Sequence, residues 1–184
     1  MSRARAEINL AAIAENLKFI KSKTSAQVLA VVKADAYGHG LINVAKAAEK
    51  VGADWLGTAL LEEGIALRKG GITKPIISWL TPIGDDFKTA IDLDIDLSIS
   101  SIELLNEIIL AGKSVNKVPR VHIEIDTGMN RFGIPKEEIN DLIQSIKELD
   151  VLCVMSHLSS SEEPDNHANK EQLLKFEQLA SLFP

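Results

Sequence analysis

The chain has 184 residues, 46% of them hydrophobic, with 20 basic against 26 acidic side chains and a net charge of −6. That is enough apolar material for one substantial core, and scattered basic residues on an acidic background argue against nucleic acid as a partner. Nothing approaches the ~20 consecutive apolar residues of a membrane span, MSRARAE at the N-terminus runs into an amphipathic stretch without a signal-peptide core, and the single cysteine, Cys153, excludes a disulfide framework within the chain, so a soluble cytoplasmic protein is expected.

In chain order, residues 8–20 place Leu10, Ile13, Leu17 and Ile20 at the spacing of a helix with one buried stripe. A strand follows at 28–32, where Val28, Leu29, Val31 and Val32 form a continuous apolar run, the pattern of a parallel strand buried on both faces. Further strands are expected at about 55–59, 76–80, 95–99, 120–125 and 151–156, with helices at about 41–51, 61–70, 85–92, 101–112, 136–148 and 168–182. The elements alternate without a linker at the length of a βα unit, which argues for parallel strands and right-handed crossovers. An open doubly wound sheet and part of a (β/α)8 barrel both satisfy this periodicity. Cys153, inside the apolar VLCVM run, reads as a buried thiol.

Three segments carry candidate chemistry. In VLAVVKADAYGHG, residues 28–40, Lys33 closes an apolar strand and precedes a glycine-flanked loop. The carboxyl ends of parallel strands are where α/β proteins mount functional groups, and a partly desolvated lysine there is suited to condensation with carbonyls. In RVHIEIDTGMNRFG, residues 120–133, Val121, Ile123 and Ile125 alternate with His122, Glu124 and Asp126, giving one polar face of the kind that lines a barrel mouth, and Arg131 lies in the loop beyond. VMSH ends the last predicted strand at His157, and the polar run at 159–167 follows it. The four histidines show no metal-ligand spacing, and His39 reads as structural.

The order KADAYGHG, then DTGMNRFG, then the strand-end histidine resembles the alanine racemases, which hold pyridoxal 5'-phosphate (PLP) on a barrel. The resemblance favours an α/β fold of the (β/α)8 TIM type, truncated here to about six βα units. A closed barrel takes about 250 residues, so residues 1–184 are expected to be the N-terminal part of the PLP-binding barrel, with the last units and a C-terminal β domain absent from the chain.

The same resemblance implies PLP-dependent interconversion of L- and D-alanine, supplying D-alanine for peptidoglycan. It makes Lys33 the catalytic lysine that carries PLP, Tyr37 a hydrogen-bond donor to its phosphate, Arg131 a contact to cofactor and substrate carboxylate, and His157 a group against the PLP ring. Many relatives have a carbamylated lysine where this chain has Glu124, so Glu124 is expected to hold Arg131 with its own carboxylate. No metal is implied. Partners are expected to be a small amino-acid substrate and, in the full-length form, a second identical subunit that supplies the opposite-face tyrosine; the 184 residues alone are therefore expected to be inactive. A non-catalytic single-barrel PLP-binding protein and a racemase of serine or lysine are the alternatives.

Overall fold

The computed structural model describes residues 4–183; part of the N-terminal segment read above for targeting lies outside them. They form two compact units, residues 4–80 with 93–95 and residues 81–92 with 96–183.

The first unit opens with α1 (Leu10–Lys21), whose N-cap Asn9 accepts the Ala12 N–H at 3.0 Å. The unit continues with β1 (Leu29–Val31), α2 (Lys33–Gly38), α3 (Leu41–Lys50), β2 (Trp55–Thr58), α4 (Leu61–Lys69) and β3 (Ile76–Ser78). The strands pair in parallel, Leu29 opposite Trp55 and Leu56 opposite Ile76. Two expectations change. The α1 stripe is only partly covered: Leu17 is buried, but Leu10 and Ile20 are exposed. β1 is not buried on both faces either, because it ends the strand order and Val31 is 47% exposed.

In the second unit α5 (Phe87–Asp92), β4 (Ile95–Ile99), α6 (Ile102–Val115), β5 (Arg120–Glu124), α7 (Ile139–Ser145, between two short 3-10 turns), β6 (Asp150–Met155) and α8 (His167–Ala180) follow. β4, β5 and β6 are parallel in sequence order. Leu97, Ile99, Leu105, Ile108, Val121, Ile123 and Leu142 form its apolar interior, all fully enclosed. The predicted single helix at 136–148 is broken into 3-10, α and 3-10 pieces. A register shift between Val121 and His122 passes over Leu152 and sets Cys153 opposite His122. That edge position leaves Cys153 exposed, not buried as the apolar run suggested. Among the described residues no helix is long and apolar enough to cross a membrane.

Candidate active site

In the first unit the site is built around the end of β1. Val32 is almost fully buried and fixes the start of the segment, while Lys33 is half-buried. The next four residues, Ala34, Asp35, Ala36 and Tyr37, all have φ between 52° and 54°. They form one turn of left-handed helix, which costs roughly 1–2 kcal/mol per L-residue relative to the right-handed form. Such a conformation persists only where surrounding contacts over-determine it, and here they are specific. Ala36 N–H donates to Val32 O at 2.8 Å, Gly40 N–H to Asp35 O at 2.9 Å and His39 Nδ1 to Ala36 O at 2.8 Å. The Asp35 carboxylate accepts the Leu41 N–H at 2.6 Å, starting α3.

This turn directs two side chains. The Lys33 amine lies 5.8 Å from the Tyr37 ring centre and 5.8 Å from that of Trp79, which follows β3. Tyr37 is 69% exposed, so its phenol is open to solvent and not enclosed by its loop. Trp79 was invisible as a site residue in the sequence. Its only signal was its place just after an apolar strand. The indole fits because Gly57, opposite Val31 in the sheet, has no side chain: a Cβ there would meet Leu29 and Trp79 at 2.5 and 2.6 Å. Below, Thr58 and Ser78 are both buried and their hydroxyls are 2.8 Å apart.

In the second unit the polar face of β5 faces inward, and Glu124 is bonded by side chains of the adjacent strand β4 and of the segment after β6. Glu124, 2% exposed, accepts from His157 Nδ1 at 2.8 Å and from the Ser98 hydroxyl at 3.3 Å. This corrects the expected pairing with Arg131. Arg131 is exposed, its guanidinium 5.4 Å from the Phe132 ring centre. The reason is the loop's own folding: the Asp126 carboxylate accepts the N–H groups of Gly128 and Asn130, and Ile134 pairs back against β5 through Glu124 O at 2.7 Å and Asp126 N at 3.0 Å. The loop therefore turns at Gly133, φ 102°, where a Cβ would strike the backbone of Ile125 and Asp126. His157 lies two residues beyond β6, not at its last position.

A second row lies on the same strands, one step toward their amino ends. His122 Nε2 is 3.2 Å from Asp96 Oδ2 and its Nδ1 2.8 Å from Cys153 Sγ, while Arg120 pairs with Asp96 at 2.9 Å. Burial opposes the imidazolium, but the bonds to Asp96 and Cys153 outweigh it and raise the His122 pKa to about 9. Gln172 on α8 is the other residue that sequence reasoning missed. Buried at 4% exposure, it donates to Thr127 Oγ1 and His157 O and accepts from Ser159 N–H and hydroxyl. A glutamine on an amphipathic helix gives no warning of such a role.

The family profile described as alanine racemase, N-terminal domain, matches residues 8–184. The chain is 42% identical over 188 residues to an alanine racemase of Thermobifida fusca, covering 98% of this chain and 50% of that protein. It is 39% identical to one of Beutenbergia cavernae, covering 94% and 48%. The structure resembles that of alanine racemase from Streptomyces coelicolor, with a TM-score of 0.94 and 34% identity over 97% of this chain and 50% of that one. The chain thus spans about half the length of these relatives. Its six strands and their helices correspond to part of a (β/α)8 barrel.

Proposed function

The chain belongs to the alanine racemase N-terminal domain family, and from that premise we propose that it carries PLP on Lys33 and serves the racemisation of alanine between its L and D forms. The observation that carries this reading is the setting of the Lys33 amine: half-buried at a strand's carboxyl end, flanked by Tyr37 and Trp79, and without an ion pair among the described residues. An amine so placed is not committed to a carboxylate and fits covalent attachment to an aldehyde.

PLP, when bound, supplies an electron sink for the pair left at Cα as its proton departs. Lys33 Nζ removes or returns that proton on one face of Cα. The exposed Tyr37 hydroxyl donates to a phosphate oxygen. Arg131 presents two parallel N–H donors to the substrate carboxylate, a planar fork that lysine cannot reproduce. His157, with Nδ1 tied to Glu124, keeps its other ring nitrogen for a hydrogen bond to the cofactor. Glu124 orients His157, which replaces its expected role toward Arg131. The proton on the opposite face of Cα is handled by a tyrosine of a second subunit, and the protein acts in the cytoplasm as a homodimer supplying D-alanine for peptidoglycan.

The test is incubation with PLP, borohydride reduction and mass mapping of the labelled peptide. One adduct on Lys33, absent from Lys33→Ala, is expected. Label spread evenly over surface lysines with Lys33 unmarked overturns the reading.

A further inference from the structure

α4 begins without a polar cap. Its N-cap, Leu60, has no side-chain acceptor, and its first turn carries two adjacent glutamates, Glu62 and Glu63. Either would serve the positive end of the helix dipole, yet the two behave differently. Glu62 is exposed, whereas Glu63 is half-buried and bends back from the helix. Glu63 Oε2 accepts the N–H groups of Ala59 and Leu60 at 3.1 and 3.0 Å, so it caps its own helix from inside the first turn. Its other oxygen, Oε1, accepts the N–H of Ala34 at 2.5 Å, across 29 residues of sequence.

Ala34 is the first residue of the left-handed turn and directly follows Lys33. The N–H groups at the start of any helical turn have no partner within it, and here the turn is also conformationally costly. One carboxylate therefore joins the end of β1 to the end of β2 at the peptide that sets the direction of the Lys33 side chain. A carboxylate suits this because it has two acceptor oxygens and no donor, matching three converging N–H groups. A functional group must be held within about 0.5 Å of its productive place by such supporting contacts.

We propose that Glu63 is the positioning residue for Lys33: by sharing its carboxylate among the amides of Ala34, Ala59 and Leu60 it locks the left-handed turn that aims the amine between Tyr37 and Trp79. The role toward the amine rests on the reading of Lys33 as the PLP-carrying residue. The lock itself does not.

The experiment compares wild type, Glu63→Gln and, as control, Glu62→Gln. Glutamine keeps the shape but turns one acceptor into a donor facing other donors. Amide hydrogen exchange, read by mass spectrometry over residues 33–40, 76–78 and 120–124, is measured beside PLP labelling of Lys33 at limiting PLP. Glu63→Gln is expected to exchange at least tenfold faster over 33–40 only, and to label Lys33 several-fold less, while Glu62→Gln matches wild type in both. Unchanged exchange at 33–40, a rise spread equally over all three segments, or faster local exchange with undiminished labelling overturns the proposal. Faster local exchange in Glu63→Gln together with no Lys33 adduct in wild type upholds the lock and overturns the PLP reading instead. Equal labelling and exchange in wild type and variant upholds the PLP reading and overturns the lock.

Discussion

Glu124 and His157 are hydrogen-bonded at 2.8 Å, the carboxylate almost fully enclosed and the imidazole partly open to solvent. The carboxylate oxygen accepts and Nδ1–H donates in this bond, which leaves Nε2 as the ring nitrogen not engaged by Glu124. The pair thus fixes which face of the histidine chemistry is offered outward. Replacing Glu124 with Leu is expected to mix the two tautomers, seen as averaged imidazole nitrogen shifts for His157. It is also expected to cost about 2–4 kcal/mol in urea unfolding, since the Nδ1–H and the Ser98 hydroxyl lose a buried acceptor. A wild-type nitrogen spectrum in that variant would show that Glu124 does not set the tautomer.

His122 gives a stability that depends on pH in a stated direction. Its folded pKa, about 9, lies above the ordinary histidine value of about 6.5. The stabilisation is therefore complete below pH 6.5 and lost as pH rises through 9, and the shift corresponds to about 3 kcal/mol. Asp96→Asn is expected to remove most of that dependence, together with the Arg120 ion pair. Urea midpoints at pH 6 and 9.5 check this; a wild-type midpoint that does not fall between them refutes the charged state of His122.

Gly57→Ala is expected to destabilise by about 1–3 kcal/mol through overpacking. The new methyl would lie 2.5 Å from Leu29 and 2.6 Å from Trp79, and displacement of the indole that stands beside Lys33 is expected. With Trp55 replaced by Phe, the remaining tryptophan emission reports that movement directly. Emission identical to that of the Gly57 parent would mean that Leu29 alone yields.

Gln172→Leu leaves the Ser159 N–H and hydroxyl without their acceptor, takes one donor from Thr127 Oγ1, which keeps Ser156, and frees His157 O of its donor. A loss of about 2–4 kcal/mol is expected, with faster amide exchange concentrated in residues 156–160. If exchange there is unaltered while stability falls, the glutamine supports α8 packing and not the histidine segment.

The order and type of nearly all elements were legible because hydrophobic periodicity is a short-range property. The strand at 120–124 and the helix at 102–115 differ from the expected bounds only at their ends. Lys33, Arg131 and His157 were singled out for a similar reason, since each stands in a short motif with its neighbours. What the pattern could not hold is any bond between distant residues. The clamp from Glu63 to Ala34 spans 29 positions, the Glu124–His157 bond 33, and the Gln172–Thr127 bond 45. The resemblance singled out Glu124 as the carboxylate expected to hold Arg131. Only the register of β5 against its neighbours, and the Asp126-centred loop that carries Arg131 elsewhere, made its partner His157. The left-handed turn after Lys33 is the sharpest case: Ala, Asp, Ala and Tyr have no intrinsic preference for positive φ comparable to that of glycine, so the conformation comes from tertiary contacts that outweigh local cost.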